Sequence, residues 1–271
     1  MQGWTNFIPT EQKILYLNEL LKVGFDVLDC GSFVSPKAIP QMADTAKVIG
    51  NLSMLDSITK LLVIVANSRG AEEAVAFEQI HSLGFPFSLS PTFQLRNTNS
   101  SLEESFERVE AIQELCFKNK KQLVIYLSMG FGNPYGDNYD EDILLFWAEK
   151  MAQLNNNVLS LADTVGIAQP AQIEWALKIL KTKYPLIEIG VHLHASVNDW
   201  ETKLAAAFQS GCLRFDGALK GIGGCPMAQD ELVGNMDSEL MIPYFKSKGV
   251  LPSLNMEALA SCSKMATQIF H

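Results

Sequence analysis

Four histidines occur in the 271 residues, and two of them stand one residue apart at the end of Ile187-Glu188-Ile189-Gly190-Val191-His192-Leu193-His194. The run is apolar and β-branched and follows Tyr184-Pro185, so it reads as a strand. Strand alternation puts residues i and i+2 on one face, which projects His192 and His194 together at ~6.5–7 Å along the backbone. Such a pair has two readings: ligands of one metal ion, or hydrogen-bonded histidines at a barrel mouth. Downstream, Gly221-Ile222-Gly223-Gly224 is too rich in glycine for a helix or strand interior. It reads as a loop that turns sharply or approaches a ligand closely. Cys225 sits in this loop, where a thiol is more reachable than in an apolar run. Asn235, after Gly234, offers an oxygen that would complete a mixed nitrogen and oxygen shell. That shell suits Mg²⁺, Mn²⁺ or Zn²⁺ and does not choose among them.

These residues need a scaffold, and the rest of the chain supplies one. Strands are expected at 27–30, 61–65, 85–89, 122–128, 158–162, 187–193 and 213–217. Thr10 is placed to cap a helix carrying Ile14, Leu15, Leu17, Leu20 and Leu21 that ends near Gly24. Further helices are expected after Pro36, at 70–81, 140–153, 170–182, 198–210 and 238–248, with a last one at 255–269. Ser101 with Glu104 forms a capping box for a long helix reaching about Lys118. Strand–helix alternation from end to end implies a parallel sheet, and short apolar strands imply cover on both faces. The expected fold is an α/β TIM (β/α)8 barrel, a single domain over 1–271, lacking its first strand and carrying an extra C-terminal helix. Active sites on this fold gather where strands end, and His192, His194, Asp29 and Asp163 fall there.

The motifs together resemble one family, the 3-hydroxy-3-methylglutaryl-CoA lyases, which are metal-dependent (β/α)8-barrel enzymes. The resemblance runs over essentially the whole chain. It includes Gly31-Ser32-Phe33-Val34-Ser35-Pro36-Lys37 with Pro40-Gln41-Met42, and Ser101-Leu102-Glu103-Glu104-Ser105-Phe106. It continues through Ala162-Asp163-Thr164-Val165-Gly166, the His-x-His pair, Gly-Gly-Cys-Pro and the later Gly-Asn. It implies retro-Claisen cleavage of a 3-hydroxy-3-methylglutaryl thioester to acetyl-CoA and acetoacetate. A divalent cation, Mg²⁺ or Mn²⁺ with Zn²⁺ as an alternative, would be held by His192, His194 and Asn235. Asp163 matches the position that serves as, or assists, the general base, against a bland alternative as a turn cap. Cys225 matches a reactive cysteine that protonates the enolate or closes over the site. Asp29 stands where the family usually carries Glu, keeping the charge with one methylene less reach. Tyr126 matches a substrate-pocket tyrosine, although an inward aromatic also serves as core. Asn97, in the loop before the capped helix, matches a CoA contact, and Lys37 is placed to meet phosphate.

The resemblance also accounts for the strand deficit. The family's first strand ends in Arg-Asp-(Gly or Ala)-(Leu or Met)-Gln, and Met1-Gln2 matches only its last two positions, so Gln2 joins the substrate-binding set. The Arg and the metal-binding Asp would precede residue 1, which is expected to reflect a start placed too late, with truncation as the alternative. Two further departures are Ala195 where an Asp often follows the His pair, and one extra residue between Cys225 and Asn235. Support for His194 must therefore come from elsewhere.

A net charge of −9 without basic runs argues against a nucleic-acid partner but leaves room for an acyl-CoA. Five scattered cysteines without C-x-x-C spacing fit a reducing compartment. No run approaches the ~18 apolar residues of a membrane span, and the first residues carry no signal-peptide pattern, so a cytoplasmic protein is expected. The resemblance further implies a homodimer and a place in leucine breakdown. Two other readings stand beside it. Isopropylmalate- or homocitrate-synthase-like condensing enzymes share barrel, metal and His pair, but usually carry Gly-Glu-Arg in place of Gly224-Cys225-Pro226. A catalytically impaired CoA-thioester-binding barrel would follow from loss of the Arg and Asp.

Overall fold

Alternation in β4 (Gln122–Ser128) shows how the sheet divides the molecule. Leu123, Ile125 and Leu127 turn outward into the main apolar core beneath the helices. Val124 and Tyr126 turn the other way, into a second, smaller cluster with Leu62, Val158, Val27 and Ile64. That second cluster is the lumen of a curled sheet, whose inward residues fill the interior as the outward ones meet the helices. The computed structural model describes residues 1–55, 57–224, 233–251 and 253–270.

Among the described residues seven strands lie side by side in chain order, all parallel. Besides β4 they are β1 (Val27–Ser32), β2 (Lys60–Ile64), β3 (Ile80–Ser88), β5 (Val158–Ala162), β6 (Glu188–His192) and β7 (Phe215–Asp216). Among the described residues β7 does not pair with β1, so the barrel is open at that seam, as the strand deficit implied. The helices are α1 (Thr10–Leu21), α2 (Thr45–Ile49), α3 (Ser68–Val75), α4 (Pro91–Thr98), α5 (Leu102–Lys118), α6 (Glu141–Ala152), α7 (Pro170–Lys183), α8 (Trp200–Gln209), α9 (Ser238–Ser247) and the additional C-terminal α10 (Met256–Ile269). Ser101 and Glu104 close the expected capping box on α5, each side chain meeting the other residue's backbone N–H. Among the described residues no helix is long and apolar enough to cross a membrane.

Four local expectations change. Thr10 is the first helical residue and Pro9 takes the cap position, with no side-chain cap. The segment after Pro36 forms a one-turn 3-10 helix at Pro40–Met42 and then the short α2. The helix expected at 70–81 stops at Val75, and β3 begins five residues earlier than expected, at Ile80. Asn67 starts α3 early by accepting from the Gly70 N–H. Finally, 91–98 is a helix: Ser90 accepts from the Phe93 N–H, Pro91 fills the first position, and Asn99 ends it with φ 50°. Asn97 thus lies on α4, not in a loop.

Candidate active site at the carboxyl ends of the strands

His192 closes β6 and His194 follows two residues later, where its backbone bridges to Asn235. The two imidazoles share a face as strand alternation requires, with ring centroids 5.4 Å apart and planes at 55°. Each ring is held by its Nδ1. His192 Nδ1 lies 3.3 Å from Asp216 Oδ2, and His194 Nδ1 lies 2.8 Å from the Val233 carbonyl. A carbonyl oxygen only accepts, so His194 carries its proton on Nδ1 and leaves the Nε2 lone pair free. Burial pushes the His194 pKa down to about 4, and the neighbouring His192 adds to this, so the ring is neutral at physiological pH. At His192 burial pulls the same way, but the hydrogen bond and charge of Asp216 outweigh it and raise the pKa.

Asn235 faces this pair. Its Nδ2 donates to the Ile222 carbonyl at 2.9 Å, and its side chain is also in hydrogen-bonding contact with His192. Gly223 explains the glycine-dense loop: it has φ 111°, and a Cβ there would lie 2.6 Å from Asn235 Nδ2. Cys225, assigned to the same loop, lies outside the described residues.

The two imidazoles and the amide oxygen form a donor set that fits a divalent cation, because both rings are oriented through Nδ1 by a second partner. They make only part of a shell. Among the described residues no cluster of three or more His, Cys, Asp or Glu is arranged to hold a metal.

Tyr126 projects into the lumen from β4 and meets His192 edge to face, with centroids 5.8 Å apart. Its phenol pKa is raised well above the usual value by burial, with the Asp216 and Asp29 charges adding to that, while a hydrogen bond from Arg214 opposes it. Arg214 runs down the lumen beside Gly190 to Glu188, 3.3 Å away, and a Cβ on Gly190 would strike its stem at 2.7 Å. Asp29 lies in mid-strand, because β1 continues to Ser32 through an irregularity between Asp29 and Gly31. Its side chain stays open to solvent in the lumen although protein surrounds it. That crowding pushes its carboxyl up to about 6, against the charge of the Met1 amine, a hydrogen bond from the Gly31 N–H and the charge of His192.

Asp163, expected as a base with turn capping as the alternative, lies inside the protein. It is 1% exposed, its Oδ2 lies 2.9 Å from Lys203 Nζ, and its Oδ1 accepts from the Ala168 N–H at 3.0 Å. Burial raises its pKa, and Lys203 opposes this. With one oxygen accepting from the Ala168 N–H and the other paired with Lys203, this carboxylate caps its turn. Lys37 and Gln2 are exposed and Asn97 is half-buried, and no described contact joins any of the three to the histidine cluster. Sequence reasoning missed Asp216, Lys203, Arg214 and the Val233 carbonyl.

A cavity of about 1320 Å³ opens at the starts of the strands, the end opposite this mouth. Val27, Lys60, Gln122 and Glu188, at or near the starts of their strands, line it with Arg214, Phe245 and Leu251. Asp216, the partner of His192, is also among its lining residues.

An open parallel β/α barrel with a His-x-His and Asn cluster beyond its strand ends places the protein among the barrel enzymes with their site at that face. More narrowly, it matches the HMGL-like family model over residues 1–266 and belongs to that family. It is 30% identical over 264 residues to the hydroxymethylglutaryl-CoA lyase YngG of Bacillus subtilis, covering 97% of this chain and 87% of the relative. The crystal structure of the Bacillus subtilis HMG-CoA lyase superposes with a TM-score of 0.91 at 29% identity, covering 99% of this chain and 89% of that one. An HMG-CoA lyase from Acinetobacter baumannii, solved with coenzyme A and 3-methylmalate, gives 0.90 at 29% identity, covering 99% and 87%.

Proposed function

We propose that this chain cleaves a 3-hydroxy-3-methylglutaryl-CoA-type thioester to acetyl-CoA and acetoacetate. It is a carbon–carbon lyase of the hydroxymethylglutaryl-CoA lyase kind. The observation that carries the reading is the meeting of His192, His194 and Asn235 at the mouth of an HMGL-like barrel, each His ring turned by a partner on Nδ1.

A divalent cation held by His192, His194 and Asn235, Mg²⁺ or Mn²⁺ before Zn²⁺, would supply Lewis-acid activation of the substrate's C3 hydroxyl. Asp29 takes the hydroxyl proton; a carboxyl near 6 in the lumen suits a base working close to neutrality. The C2–C3 bond then breaks, its electron pair passes to the acetyl thioester as an enolate, and C3 becomes the ketone of acetoacetate. Cys225 gives its thiol proton to the enolate carbon; Asp29 then releases its proton to solvent and the thiolate regains one from solvent, which restores both groups. Tyr126 packs against His192 and bounds the acyl pocket, Gln2 contributes to substrate binding, and Asn97 and Lys37 serve the CoA side. A homodimer and a role in leucine breakdown complete the reading on the family resemblance, and a cytoplasmic location on the scattered cysteines without C-x-x-C spacing.

The test is acetoacetate release with Mg²⁺ or Mn²⁺, measured on this chain and on one given an eighth strand ending in Arg-Asp-Ala at its N-terminus. Metal-dependent turnover, strongest with the added strand, is expected. No turnover from either folded protein overturns the assignment.

A further inference from the structure

Lys203 is the fourth residue of α8 and lies 2% exposed at the carboxyl end of the strands. A buried ammonium is costly unless it is paired and fully hydrogen-bonded. Here Nζ meets four acceptors: Gly166 O at 2.8 Å, Asp163 Oδ2 at 2.9 Å, His194 O at 2.9 Å and Asp199 Oδ2 at 3.2 Å. Two carboxylates face one cation, and the other two acceptors are backbone carbonyls in the segments that follow β5 and β6.

These partners form a closed path through the site. Lys203 holds the His194 carbonyl directly. It also holds the Asp163–Gly166 turn, which packs so tightly on Val233 that a Cβ on Gly166 would lie 2.9 Å from that side chain. The Val233 carbonyl in turn fixes His194 Nδ1. Both the backbone and the ring orientation of His194 therefore depend on where one ammonium sits. Ala195, next to the His pair, has no polar side chain, so support for His194 comes from Lys203 and the Val233 carbonyl. A compact ammonium on a flexible stem suits four acceptors spread over two loops and its own helix, a pattern that a planar guanidinium fork does not match.

We infer that Lys203 is a positioning residue, clamping the Asp163–Gly166 turn to His194 so that the His194 imidazole is presented in one orientation. The inference rests on the lyase reading for the purpose of that orientation. Lys13 provides the contrast. It is equally buried, paired with Asp44 at 2.7 Å and bonded to the Gln41 carbonyl, and among the described residues it ties α1 to the start of α2 with no hydrogen bond to the histidines or to their Nδ1 partners.

The experiment compares Lys203→Met with Lys13→Met in two measurements, direct Mn²⁺ titration and ¹⁵N NMR of the His194 ring. Lys203→Met should weaken Mn²⁺ binding ~10–100-fold, the range seen when an outer partner of a metal ligand is lost. It should also shift the His194 ring nitrogens away from a single Nδ1–H form. Lys13→Met should lower Tm and leave both readings as in the parent. A folded Lys203→Met protein with unchanged His194 signals overturns the inference. If Lys203→Met fails to fold, Lys203→Gln, which keeps two N–H donors, is read the same way. Failure of the unsubstituted protein to bind Mn²⁺ overturns the metal site proposed above and leaves Lys203 to be decided by the NMR comparison.

Discussion

His192 and Asp216 occupy facing positions in the β6–β7 register, and Asp216 Oδ2 lies 3.3 Å from His192 Nδ1. The carboxylate sets which nitrogen keeps the proton and so which one faces the lumen. Asp216→Asn keeps the size and much of the contact but removes the charge. It should lower Mn²⁺ affinity ~10–100-fold, read by calorimetric titration, with little change in Tm. Unchanged affinity would mean that His192 is not a ligand, or that Asp216 does not orient it.

Asp29 carries the proton-transfer role in the proposed reaction because, of the acids at this end, it combines access to the lumen with a carboxyl near 6. Asp29→Asn should cut kcat by ~10²–10⁴ and leave Mn²⁺ binding in place. The matching change at Asp163 should behave differently, lowering Tm first, because that group is tied to Lys203 and the Ala168 N–H. A loss of kcat at Asp163 with no cost in stability would reverse the two assignments.

Much of the scaffold was legible because its signals are local. Alternation of Leu123, Ile125 and Leu127 against Val124 and Tyr126 marks β4, and the spacing of His192 and His194 alone puts them on one face. The missing strand was legible as a count. Asp216 was not, because its role comes from a two-residue strand whose pairing with β6 is a long-range choice. Lys203 had a local signal that went unused: it lies on the buried stripe of α8 with Leu204, Ala206 and Ala207, where a lysine needs a partner. Ser90-Pro91 likewise announced α4 as a cap followed by a first-turn proline.

Gly84 tests how tightly the lumen is filled beneath the site. A Cβ there would lie 2.7 Å from Ile64 Cδ1 and 2.9 Å from Tyr126 Cε2. Tyr126 is already engaged on its far side by His192, so Gly84→Ala has little room to relax. The substitution should cost ~1–3 kcal/mol in urea unfolding, the usual range for overpacking. A cost below ~0.5 kcal/mol would show that the lumen has slack and that Tyr126 does not brace His192.

Far from the mouth, His81 in β3 offers a pH dependence free of the proposed metal ligands. Its Nδ1 lies 2.7 Å from Ser82 Oγ, and burial, with Lys60 and Lys121 adding to it, lowers its pKa from 6.5. The unfolded chain therefore binds a proton at His81 at higher pH than the folded one does. Stability rises with pH wherever the unfolded state holds more protons, so this contribution is full above 6.5 and is lost as pH falls from there toward the lowered folded value. His81→Gln removes the titration, and its Tm should drop less than the parent's between about pH 8 and about pH 5.5. Parallel losses of Tm in the two proteins would show that His81 titrates alike in both states, and that Lys60 and Lys121 are too well screened by solvent to matter there.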